Sequence, residues 1–181
     1  MEKRKLGTTD IEVSSICLGT MTWGQQNTED QGFEQMDYAI DMGINFFDTA
    51  EMYAVPPKKE TQGSTEKIIG NWFNKRKNRN KVILATKVCG RAPFTWLRVD
   101  EKPTEQTKKQ IFEAVDKSLD RLQTDYIDLY QLHWPDRPMS LFGGSINYQH
   151  IEGEANSIES ILDALSELIK IGKIRNIGLS N

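Results

Sequence analysis

Gly43-Ile44-Asn45-Phe46-Phe47-Asp48-Thr49-Ala50-Glu51-Met52-Tyr53 combines a helix stop, a strand and two reactive side chains in one short stretch. Glycine reaches the left-handed conformation that ends a helix, and a helix pattern precedes it. Thr28 and Gln31 have capping-box spacing, and Phe33, Met36 and Ile40 share one face. The apolar run 44–47 is strand-sized and gives out at Asp48; Tyr53 follows in the next loop.

Working outward, the same arrangement recurs. Val82-Ile83-Leu84-Ala85-Thr86 runs into Lys87, and Tyr126 through Leu132 runs into His133. Between these runs lie amphipathic helices. One starts near Ser64 and carries Ile68, Ile69, Trp72 and Phe73; a second follows Pro103 with Ile111, Val115, Leu119 and Leu122. A third carries Ile158, Ile161, Leu162, Leu165, Leu168 and Ile169 and stops at Gly172, before a last strand at 174–180. Upstream, two short strands flank the turn Gly7-Thr8-Thr9-Asp10, and Ser14–Gly19 reads as the first parallel strand. Strands alternating with helices imply parallel pairing through right-handed crossovers. The expectation is one α/β domain over 1–181 with an N-terminal β-hairpin.

The loops split into two classes. Helix-to-strand turns are short, whereas the strand-to-helix loops at 52–63, 90–102 and 134–157 are long. All the long loops therefore emerge at the strands' C-terminal ends, the face on which parallel barrels and open sheets place their sites. Trp23, Phe94, Trp96, Trp134 and Phe142 lie in these loops, either walling an apolar pocket or packing the loops together. Period-two counting puts Ile83 and Ala85 on the face of Lys87, and Ile127, Leu129 and Gln131 on that of His133. Each inward face is mostly apolar below and polar at its top.

Composition narrows the function classes. Hydrophobic content of 38% and charge of 27% fit a soluble globular chain, and a net charge of −3 without a basic stripe argues against a nucleic-acid binder. No apolar stretch approaches the roughly 20 residues that cross a bilayer, and the charged start Met1–Lys5 leads into no secretory segment. A cytoplasmic setting is expected, with Cys17 and Cys89 both reduced and buried in strands. Two histidines and no Cys/His cluster leave no zinc site in view.

A carboxylate, an amine, an imidazole and a phenol at one rim suit proton transfer to a carbonyl or alkoxide oxygen. A phenol ionises near pH 10, too high to give up its proton readily. An ammonium about 4 Å away, at an effective dielectric of about 20, favours the phenolate by about 4 kcal/mol, or up to roughly three pKa units. Asp48 would hold Lys87 charged while offsetting part of that field, and His133 can donate to the same oxygen. Each residue also has an ordinary reading: Asp48 as a cap, Lys87 as a solvated charge, His133 at a loop entry, Tyr53 in packing. Convergence of all four on one rim favours chemistry. No G-x-S-x-G elbow and no G-x-G-x-x-G fingerprint occurs, so hydrolysis by that route and a Rossmann site are both disfavoured.

Asn45-Phe46-Phe47-Asp48-Thr49-Ala50-Glu51-Met52-Tyr53 resembles the signature of the aldo-keto reductases. So do Gly19-Thr20-Met21-Thr22-Trp23-Gly24, the segment Asp125 to Pro135 and the segment Gly172 to Asn181. Val55-Pro56-Pro57 and Glu60-Thr61-Gln62-Gly63 resemble its bacterial Tas-type branch, near the potassium-channel beta subunits. The resemblance implies a parallel (β/α) TIM-type barrel, here incomplete at about five of eight strand-helix units. It implies NADP(H) as cofactor and a small-molecule carbonyl substrate. Tyr53 would be the general acid, Asp48 and Lys87 its tuning pair, and His133 the donor that orients the carbonyl. Thr20, Met21, Asp48, Ser180 and Asn181 would meet the cofactor, and Trp23, Tyr53, His133 and Trp134 would shape the substrate pocket. Segments that in relatives stack on the nicotinamide and clamp the 2′-phosphate would lie beyond Asn181. Two alternatives remain open at this level: a nucleotide-binding regulatory subunit, as in the channel branch, and an inactive truncated barrel. The first and fifth strands would leave open sheet edges, inviting self-association or pairing with another polypeptide.

Overall fold

The computed structural model describes residues 1–139 and 150–181, so the loop aromatic Phe142 lies outside the described residues. Strand β1 (Lys3–Lys5) pairs antiparallel with β2 (Glu12–Ser14), with Lys3 opposite Ser14. The chain then alternates β3 (Cys17–Gly19), α1 (Glu29–Asp41), β4 (Phe46–Asp48), α2 (Ser64–Arg76), β5 (Ile83–Val88), α3 (Lys108–Leu122), β6 (Ile127–Leu132), α4 (Ile158–Lys170) and β7 (Ile174–Leu179). The last five strands form one parallel sheet in sequence order, β3-β4-β5-β6-β7. This is an N-terminal hairpin followed by an incomplete TIM-type barrel.

Local signals account for the element ends. Thr28 accepts from the Gln31 amide and Gln31 returns a bond to the Thr28 amide, a complete capping box at α1. Thr107 and Ser157 cap α3 and α4 in the same one-sided way, through hydroxyls that accept from amides three residues on. Gly43, at φ +79°, turns the chain from α1 into β4.

Helices cover one face of the sheet. Phe47, Leu84, Val88, Tyr130 and Leu132 pack there against Ile69, Trp72, Ile111 and Leu165 in the main core. Burying each such side chain contributes about 1.5–3 kcal/mol. Close approach of α2 to α3 depends on Gly70, where a Cβ would overlap the Arg121 carbonyl. Beside it a buried ion pair, Glu66 with Arg121 at 2.7 Å, accepts a further bond from the Thr86 hydroxyl at 2.6 Å.

One helix keeps part of its apolar set exposed, and one expectation, on Cys17, needs correction. On α4 the buried stripe is Ile161, Ala164, Leu165 and Leu168, while Ile158, Leu162 and Ile169 are 48%, 42% and 39% exposed. Among the described residues α4 packs chiefly on α3 and β7, and its far flank is exposed. Cys17 is exposed, not buried: its strand is at the sheet edge, and its side chain stands on the face of Phe46 and Asp48, away from the helices. Cys89 is buried just past β5, and both thiols are free.

Candidate active site

Parallel register sets the site's layout. Asp48 lies beside Ala85, and Lys87 beside Gln131, so β4, β5 and β6 present a carboxylate, an amine and an amide on one face near their C-terminal ends. Lys87 is 4% exposed and needs oxygen partners. Its Nζ donates to Asp48 Oδ2 at 2.6 Å and to the Thr49 carbonyl at 2.7 Å. The second Asp48 oxygen accepts from Gln131 Nε2 at 3.3 Å. Period-two counting had placed Gln131 on this face; its bond to Asp48 is a contact that no sequence signal specified.

Tyr53 reaches the same place from the β4–α2 loop. Its amide donates to the Ala50 carbonyl, and its carbonyl accepts from Gly63 at 2.7 Å, which turns the ring toward the sheet. Lys87 Nζ lies 5.0 Å from the Tyr53 ring centroid, and the His133 ring stands edge-on to it at 5.6 Å. All four predicted residues, Asp48, Tyr53, Lys87 and His133, line one cavity of about 520 Å³. Met21, Trp134, Ser180 and Asn181 line it too, as do Met52 and Phe94. Phe94 packs on Trp96 at 5.0 Å, so one loop aromatic forms wall and the other supports it.

Two expected site residues lie behind the cavity. Thr20 is buried, and its hydroxyl donates to the Asp48 carbonyl at 2.8 Å, tying the loop after β3 to the end of β4. Trp23 does not line this cavity. It is 1% exposed in the main core, its Nε1 donates to Gln35 on α1, and its carbonyl accepts from the hydroxyls of Ser64 and Thr65. Its apolar bulk serves the α1–α2 packing; its loop position and the family resemblance had suggested a pocket wall.

The electrostatics differ from the simple ammonium-phenol pair. Burial, and then the Asp48 charge, push the Tyr53 phenol up to about 12. Asp48 pairs with Lys87 at 2.6 Å, so carboxylate and ammonium act on the phenol in opposite directions. Burial, and then the nearby Lys87 charge, push His133 down to about 3, so the imidazole is neutral at physiological pH. His133 Nδ1 is buried without a hydrogen-bond partner among the described residues, and the His133 carbonyl accepts from Asn181 Nδ2 at 3.0 Å. The cavity thus offers a protonated phenol, a neutral imidazole and a shielded cation. That set can hold a carbonyl oxygen and give it a proton.

The chain belongs to the aldo/keto reductase family, whose model matches residues 15–181. It is 47% identical to Protein tas of Escherichia coli strain K12 over 184 aligned residues, covering 100% of this chain and 52% of that protein. It is 38% identical to the uncharacterized oxidoreductase YqkF of Bacillus subtilis, covering 100% of this chain and 49% of that one. Among solved structures, the holo form of aldo-keto reductase AKR11C1 from Bacillus halodurans superposes with a TM-score of 0.72 at 38% identity, over 99% of this chain and 50% of that one. The chain therefore spans about half the length of the relatives it matches. Among the described residues no helix is long and apolar enough to cross a membrane.

Proposed function

We propose that this cavity reduces aldehydes or ketones to alcohols with NADP(H), Tyr53 acting as the proton donor. The observation that carries the reading is the convergence of Tyr53, Lys87, Asp48 and His133 on one 520 Å³ cavity. The cofactor, when bound, supplies a hydride to the carbonyl carbon. The carbonyl oxygen sits between Tyr53 and His133, and as charge builds on it the Tyr53 hydroxyl releases its proton to it. The tyrosinate left behind, next to Lys87, recovers a proton from solvent, since a phenol pushed up to about 12 is protonated at neutral pH. Lys87 and Asp48 fix the polar floor on which this exchange occurs.

The residues present fit a nicotinamide. Ser180 and Asn181 line the cavity with side chains able to bond a carboxamide, and half-exposed Met21 offers an apolar thioether to a flat ring. Thr20, buried behind this wall, supports it through its bond to the Asp48 carbonyl. Met52, Phe94 and Trp134 give the pocket an apolar side for the substrate.

The test is NADPH oxidation over a panel of aldehydes, with the protein and its Tyr53→Phe variant. Reduction by the native protein and a roughly 10²- to 10⁴-fold lower rate in the variant are expected. Tight NADPH binding with no turnover in either would instead support a nucleotide-binding subunit, and no binding at all an inactive barrel.

A further inference from the structure

We infer that the buried Glu51–Arg98 ion pair is a latch that fixes the Tyr53 loop and the Phe94 loop as a single unit, making both residues positioning residues for the acid. This rests on the carbonyl-reduction reading for its catalytic consequence, though not for the latch itself. Glu51 sits two residues before Tyr53, and its side chain points away from the cavity. Its carboxylate accepts from Arg98 Nη1 at 2.8 Å and Nη2 at 2.9 Å, and from the Cys89 amide at 2.8 Å. The side chains are 0% and 1% exposed for Arg98 and Glu51, so both charges are removed from water and depend on each other.

Each partner is anchored to a different wall. The Glu51 amide donates to the Lys87 carbonyl, and the Glu51 carbonyl accepts from Gln62 Nε2 at 2.6 Å, one residue before the Gly63 that holds the Tyr53 carbonyl. Arg98 belongs to the loop from β5 to α3 that carries Phe94 and Trp96, and its Nε donates to Gln110 on α3 at 2.9 Å. Ala50, Met52, Cys89, Leu97 and Trp134 form a small second core around this pair, with Tyr53 and Phe94 packed on it. The acid and the apolar wall opposite it are thus joined through one bidentate bond. A bidentate guanidinium-carboxylate pair fixes orientation as well as distance. Loss of it frees Tyr53 to drift, and a 1 Å misplacement at a reacting centre costs on the order of 10²-fold in rate.

Cys89 reports on the latch without any catalysis, because its amide is bonded to Glu51 and its thiol is fully buried beneath it. The experiment uses a Cys17→Ser background, so that the exposed thiol is silent, and follows Cys89 labelling by a thiol reagent well below the unfolding transition. Glu51→Gln/Arg98→Met removes both charges together, which avoids stranding one of them in the core. The control is Glu66→Gln/Arg121→Met, at another largely buried pair, on the helix side of the sheet. Labelling at least tenfold faster in the first double variant and not in the control is expected. A kcat on aldehydes lowered about 10- to 100-fold, again only in the first, is expected with it. Arg98→Lys keeps the charge and loses the fork; it should fall between parent and double variant in both readouts, and stands in if the double variant does not fold. Cys89 labelling at the parent rate overturns the latch, and fast labelling with an unchanged kcat overturns the positioning role. If the parent itself turns over no carbonyl, the catalytic reading fails while the labelling result still decides the latch.

Discussion

A lysine ammonium that is 4% exposed has to be met by oxygen, and Lys87 is met by the Asp48 carboxylate and the Thr49 carbonyl. The polar residues that end apolar runs at 48, 87 and 133 were legible in the sequence, because strand ends and barrel mouths coincide in parallel α/β folds. Trp23 was not, because its partner Gln35 and its place under α2 are decided by tertiary packing that a loop position does not encode. The protonation states were not legible either. Burial governs both Tyr53 and His133, and burial is a property of the folded site. A consequence can be measured. Unfolded histidine takes up a proton near pH 6.5, whereas His133 in the fold resists protonation down to about 3. In that window the unfolded state holds the extra proton, so stability falls as the pH drops below about 7, by up to about 1.4 kcal/mol per pH unit. Glu51, held below the usual carboxylate range by Arg98 despite its burial, adds a loss of the same sign only at lower pH, under its ordinary value of 4.5. Urea unfolding between pH 7 and 5 should therefore show a slope in the native protein and a flatter one in His133→Gln. Equal slopes would mean that His133 is not held neutral.

At the scale of elements, the capping box at α1 was readable as Thr28 and Gln31, and both bonds of it form. Replacing Thr28 by Ala should cost about 1 kcal/mol, seen as a lower denaturant midpoint with an unchanged slope. The strand starts were less legible, since β4 and β6 begin later than their apolar runs, at Phe46 and Ile127. The α4 flank shows why periodicity alone misleads there: an apolar residue at helical spacing is buried only where another element covers it, and α4 has α3 and β7 as neighbours. Contact between the ends of β5 and β6 depends on Gly90, where a Cβ would overlap the Trp134 ring and carbonyl. Gly90→Ala should displace that ring from the cavity wall and destabilise the protein by about 1–3 kcal/mol. Its signature is a shifted near-ultraviolet tryptophan dichroism with a lowered melting temperature; a spectrum and melting temperature matching the native protein would remove Gly90 from the account.

Over the whole molecule, alternation of strand and helix was enough to specify parallel pairing through right-handed crossovers. The sequential order of the five strands followed only from the family resemblance, since open doubly wound sheets share that alternation. What the alternation did not fix is how the long loops fold over the strand ends, where two ion pairs sit: fully buried Glu51 with Arg98 under the acid, and half-buried Arg91 with Asp136 behind Trp134. The five-strand sheet has β3 and β7 as its edges, each paired on one side among the described residues. Carbonyl reduction makes one claim about the whole assembly: a hydride and a proton arrive at the same bond from different sources. Presenting NADPH deuterated at the transferring position of the nicotinamide, with an aldehyde that the protein accepts, tests it most directly. An alcohol with one deuterium on the former carbonyl carbon and none retained on its oxygen is expected, formed at a rate that collapses when Tyr53 becomes Phe. An alcohol without carbon-bound deuterium, or one formed as fast by Tyr53→Phe, would contradict it.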